Sequence, residues 1–145
     1  MPKAILALLT VLAVSLPGAT GADDKKDGKK GKRPDLTLRA TPRFSFSPAN
    51  ILFTAELKGG DDVEELYCPE VEWEFGDGGK SVSEADCDPW EPGITAIERR
   101  FTKRHEFQRA GRYRVRVTLT KGGKQIRQTL SLQVRPGLGD PTMQY

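Results

Sequence analysis

Val71-Glu72-Trp73-Glu74-Phe75-Gly76-Asp77-Gly78 is one of two stretches that decide the fold. The other lies about thirty residues further on: His105-Glu106-Phe107-Gln108-Arg109-Ala110-Gly111-Arg112-Tyr113-Arg114-Val115-Arg116-Val117-Thr118-Leu119. In both, apolar side chains alternate with charged or polar ones, the two-residue period of a strand buried on one face. Val71, Trp73 and Phe75 point one way, Glu72 and Glu74 the other. Tyr113, Val115, Val117 and Leu119 likewise oppose Arg112, Arg114, Arg116 and Thr118. Gly76-Asp77-Gly78-Gly79 ends the first strand in a tight turn, and Ala110-Gly111 opens the second.

These residues resemble the PKD (polycystic kidney disease) domain, an immunoglobulin-like sandwich common in extracellular bacterial proteins. The family pattern runs Trp-x-Phe-Gly-Asp-Gly, then His-x-aromatic, then Gly-x-Tyr-x-Val-x-Val. Here it falls on Trp73, Phe75, Gly76, Asp77 and Gly78, then His105 and Phe107, then Gly111, Tyr113, Val115 and Val117. The resemblance covers about residues 35–135. It departs from the family between Gly79 and Phe101, where the segment is longer and carries a cysteine.

Working outward, the 145-residue chain divides into four parts. Residues 1–22, with the apolar run Ala4–Leu16 followed by small residues, read as a secretory signal peptide. The run is too short to span a bilayer, so the expected mature protein is exported and not membrane-spanning. Residues 23–34 contain almost nothing apolar and read as a charged, disordered linker. Residues 35–135 form the domain, and residues 136–145 read as a flexible tail. Other strands are expected from Leu36 (Leu38 and Ala40 inward), over Ile51–Leu57, near Lys80–Ser83, along Ile97, Phe101 and His105, and over Lys124–Val134. Pro42–Pro48 reads as a bend. The expectation is an all-β, antiparallel, immunoglobulin-like sandwich of about seven strands.

Export sets the reading of Cys68 and Cys87, which most simply pair in an oxidising compartment. A metal site would need more ligands than the single histidine supplies. The bond is expected to pin the long loop to the base of the Trp73 strand. With 23 basic and 20 acidic residues the net charge is +3, which calls for no polyanionic partner and no nucleic acid.

Trp73 and Tyr113 are expected in the core, Tyr113 as a tyrosine corner whose hydroxyl bonds back to nearby main chain. Asp77 is expected to accept main-chain N–H bonds within its turn. The resemblance also makes it a weak calcium candidate, since some PKD domains bind that ion, but calcium needs six to eight oxygens. Glu72 and Glu74 are expected to pair across the sheet with the arginine row at 112, 114 and 116, which argues against acid catalysis. His105 is expected to make a structural hydrogen bond. No nucleophile motif or metal set marks an enzyme, and no cofactor is expected.

Trp90, framed by Pro89 and Pro92, admits two readings: a ligand platform at a loop tip, or a satellite core over the disulfide. With Arg99, Arg100 and Lys103 it forms the candidate binding surface, for which anionic polysaccharide or lipid head groups are the natural partners; the alternative is a solvated basic face. The function expected is non-catalytic binding or spacing, toward protein or polysaccharide, at the cell envelope or outside the cell. Alternatives are a structural or accessory subunit of an envelope complex, or a calcium-dependent adhesion module.

Overall fold

The structure, a computed structural model, describes residues 33–140. The signal-peptide expectation and all but the last two residues of the linker lie outside them. Two sheets face each other. One holds β1 (Asp35–Thr41), β3 (Ala49–Lys58) and β6 (Arg100–Phe107) in the order β1-β3-β6. The other holds β2 (Ser45–Phe46), β8 (Lys124–Arg135), β7 (Gly111–Lys121), β4 (Glu70–Glu74) and β5 (Lys80–Ser83), in the order β2-β8-β7-β4-β5. This is an immunoglobulin-like arrangement: a small sheet laid over a larger one built from the β4–β5 and β7–β8 hairpins.

Alternation places the core where the sequence pattern puts it. Ile51, Phe53, Ala55 and Leu57 of β3 are buried, as are Val71 and Trp73 of β4, Phe75 just beyond it, and Val115, Val117 and Leu119 of β7. Phe53 is the hub. Its ring centroid lies 6.4 Å from Trp73, 5.9 Å from Phe75 and 6.2 Å from Phe107, so both sheets meet on one aromatic cluster. Tyr113 packs at the margin of this core, its outer end reaching solvent.

At three places the structure adds detail that the sequence pattern does not carry. The sandwich has eight strands where about seven were expected, the additional one only two residues long, and one pairing is parallel: Ser45–Phe46 crosses to the second sheet and runs alongside Val134–Arg135. The segment read as a bend holds this short strand because Ser47 N–H donates to the Arg135 carbonyl at 2.9 Å. The sixth strand begins only at Arg100, leaving Ile97 buried just outside it.

The third place is the start of the 136–145 tail, whose residues 141–145 lie outside the described ones. Residues 136–140 are anchored: Gly137 N–H donates to Ser47 Oγ at 3.1 Å, Ser47 Oγ donates to Asp140, and Ala110 N–H donates to Asp140 Oδ2 at 2.8 Å. Gly137 is required there, since a β-carbon would overlap the Ser47 carbonyl. One bond from the Gly137 backbone and two to the Asp140 side chain hold this stretch against Ser47 and Ala110.

Candidate functional site

The Gly-Asp-Gly-Gly turn joins β4 to β5 and is locked against β6. Gly76 has φ of +83°, and a β-carbon on it would sit 2.8 Å from the backbone N and O of Arg114, so only glycine fits. Asp77 Oδ1 accepts the Gly79 N–H at 2.8 Å, closing the turn as expected. Its other oxygen lies 2.6 Å from His105 Nε2. Partial burial pushes the Asp77 carboxyl up, but the bonds from His105 and Gly79 outweigh it and hold the group below its ordinary value. The His105 ring lies flat on Phe75, centroids 3.8 Å apart, and edge-on to Phe107. Tyr113 hydroxyl donates to the Arg109 carbonyl at 2.7 Å, the expected corner. Both Asp77 oxygens are thus engaged by protein, and among the described residues no cluster of metal-ligating groups forms.

The charged rows are only partly paired as expected. Arg116 Nη1 reaches Glu74 at 2.9 Å, but the nearer partner of Glu74 is Lys80 at 2.8 Å, and Lys80 also approaches Glu72 at 3.9 Å. The hydrogen bond from Lys80 is the largest cause holding the Glu74 carboxyl below its ordinary value. Arg112 and Arg114 pair with no carboxylate among the described residues. The five-residue β4 lies opposite only residues 116–120 of the eleven-residue β7, so the two arginines project past its end.

Cys68 and Cys87 are bonded. The bridge clips the 84–93 loop to the residue pair preceding β4. Beside it the Trp90 indole packs against Tyr67, centroids 5.2 Å apart, and the Tyr67 hydroxyl donates to the Asp88 carbonyl at 2.9 Å. The structure gives Trp90 a share of both readings. It is half-buried against the core margin and also lines an open hollow of about 540 Å³ together with Tyr67 and the disulfide. Glu64, Glu70, Glu84, Asp86 and Asp88 surround the hollow, with Lys121 at one side. The hydrogen bond to Glu84 and burial, with repulsion from neighbouring carboxylates, keep the Glu70 carboxyl above its ordinary value.

The basic residues expected beside Trp90 do not line this hollow, although Arg100 borders an adjoining one that also includes Tyr67 and the disulfide. Arg99 is consumed in holding the loop after β3, donating to the Gly59 and Gly60 carbonyls at 2.8 and 3.1 Å and to Asp62 at 3.1 Å. Register places Arg100 opposite Glu56, and the two pair at 2.8 Å. Lys103 shares the inner face of β6 with Phe101, His105 and Phe107, so it leans toward the sandwich interior at the sheet edge. None of the three lines the hollow. The candidate surface therefore keeps its tryptophan and changes its charge from basic to acidic.

Sequence comparison finds no matching family model and no matching curated protein. Among solved structures, the chain is similar to the PKD1 domain of the Vibrio cholerae metalloprotease PrtV. That similarity is 14% identical, covers 70% of this chain and 96% of that one, and has a TM-score of 0.43.

Tyr67 and the gathering of the carboxylates around the hollow went unread in the sequence. Tyr67 is adjacent to Cys68, and Asp86 and Asp88 flank Cys87, so the signal was there: the bond joining these cysteines also gathers their neighbours.

Proposed function

We propose that this chain is an exported, non-catalytic PKD-type module that binds a protein or polysaccharide of the envelope or extracellular space through the hollow around Trp90. One observation carries the reading. An aromatic face is held at the wall of an open hollow by a second ring and a disulfide, on a loop carried by a rigid sandwich, which is where recognition surfaces usually lie. The leader-like residues 1–22 and the cysteine pair support export. The PKD-type motif residues support a binding or spacing role by analogy of fold. With carboxylates rather than arginines around Trp90, the ligand that fits is a neutral sugar face or a protein surface, not an anionic chain.

The test compares the parent protein with Trp90→Ala on a glycan array and in pull-downs from envelope extract. The variant is expected to lose at least about tenfold in binding, the cost of removing one aromatic anchor, with unfolding free energy within about 1 kcal/mol of the parent. Unchanged binding, or unfolding of the variant, defeats the reading.

A further inference from the structure

We propose that the opposite corner of the domain, built from β2, the 136–140 anchor and the outer face of β7–β8, docks on a phospholipid surface bearing anionic head groups. Phe44, Phe46 and Leu138 are exposed to 78%, 60% and 97%. Single exposed apolar side chains are ordinary, but a contiguous group marks an interaction surface. Phe46 and Leu138 are brought to one corner by the pairing of Phe46 with Arg135 and by the Gly137 N–H bond to Ser47, and Phe44 lies two residues before Phe46.

The charge around them has one sign. Phe46 shares the outer face with Arg135; Gln133, two residues back on that face, is opposite Arg112, and Ser131 is opposite Arg114. Arg43 and the pair Arg112 and Arg114 each border a hollow that includes Ser131 and Gln133. None of Arg43, Arg112, Arg114 and Arg135 has an ion-pair partner among the described residues. The chain carries no Asp or Glu from Leu36 to Ala55, nor from Phe107 to Gly139. Asp140 is buried on Ser47 and Ala110, and Asp77, whose charge also reaches Tyr113, is engaged by His105 and Gly79.

Exposed phenylalanine and leucine beside unpaired arginine is the composition of an interfacial lipid contact: the rings and the leucine enter the acyl boundary while guanidinium groups meet phosphates. An anionic polysaccharide would engage the arginines but would leave Leu138 in water. The apolar group therefore favours lipid over polyanion. This inference is independent of the Trp90 reading.

Vesicles of phosphatidylglycerol and phosphatidylcholine, against phosphatidylcholine alone, test it by cosedimentation. All variants start at residue 23, without the apolar leader-like segment and with the same charged linker, so differences report the patch. The combination Phe44→Ser, Phe46→Ser and Leu138→Ser is expected to weaken partition at least about tenfold. Arg112→Gln, Arg114→Gln and Arg135→Gln should weaken it about fivefold each, on anionic vesicles only. A tryptophan at position 46 (F46W) should be quenched by brominated lipid, whereas one at position 63, at the other end of the domain (V63W), should not. If the apolar variant partitions like the parent while the arginine variants fail, the surface holds a soluble polyanion and the proposal is overturned. Absence of F46W quenching overturns it as well. Trp90→Ala should partition like the parent, which keeps this test separate from the preceding one.

Discussion

His105 Nε2 lies 2.6 Å from Asp77 Oδ2, joining the turn after β4 to the middle of β6 and so one sheet to the other. Neither residue acts alone. The imidazole is fixed flat on Phe75, which aims its nitrogen, and the carboxylate is fixed by the Gly79 N–H. The pair is a polar rivet at the rim of an apolar core, satisfying two groups that partial burial would otherwise leave costly.

Asp77→Asn should destabilise the domain by about 1–2 kcal/mol at neutral pH, through loss of charge-assisted hydrogen bonds. The Asp77 carboxyl is held below its ordinary value of 3.8, so the folded state binds that proton less well than the unfolded chain. The stabilisation is complete above the ordinary value and is lost as pH falls through the folded one. Urea unfolding at pH 7 and pH 3 should show the parent–variant gap closing in acid. A gap of constant size would show that the carboxylate charge is irrelevant.

Trp73→Ala should cost about 3–5 kcal/mol, as truncation of a large buried aromatic does. Trp73 is 2% exposed and abuts Phe53, the residue on which both sheets converge. A loss below about 1 kcal/mol in chemical denaturation would mean that the core closes over the gap, contrary to the packing described.

Replacing both Cys68 and Cys87 by serine should lower stability by about 3 kcal/mol on the chain-entropy account of a cross-link of this span. The loop is the part expected to loosen. Trp90 fluorescence should shift to the red while Trp73 remains buried. Intact-mass measurement of the unreduced parent should show no reactive thiol.

Truncation after Arg135 should destabilise the sandwich and raise hydrogen exchange at Ala110, whose N–H is held by Asp140. Asp140→Asn should give part of the same effect, about 1 kcal/mol. Exchange at Ala110 equal to that of the parent would mean the anchor contributes nothing.

The strand faces were legible because burial on one side imposes a period of two: every inward position read along β3 and β7 is inward in the structure. What stayed hidden depends on relations between distant segments. Parity shows that Arg112, Arg114 and Arg116 point outward, but only the register of β4 on β7 decides that Arg116 alone meets Glu74. Likewise Arg99 and Arg100 look free in sequence, and the β3–β6 register supplies Glu56 while the loop after β3 supplies the carbonyls. Asp140, in a segment of Gly and Pro, gives no local sign that Ser47 awaits it. The Trp90 reading was half legible: the bridge follows from the cysteines, the acidic company only from closing it.

Lys103 gives the sandwich a property of a different kind. It occupies an inward-leaning position on β6, an eight-residue strand whose outer backbone edge no other strand covers. A foreign strand adding to that edge would have to bury the ammonium against Phe101 and Phe107, at a cost no new ladder of hydrogen bonds readily offsets. The lysine thus acts as a guard against self-association, most useful while the chain is concentrated and only partly folded. A valine there would strengthen the domain as a monomer and make it a template for fibres.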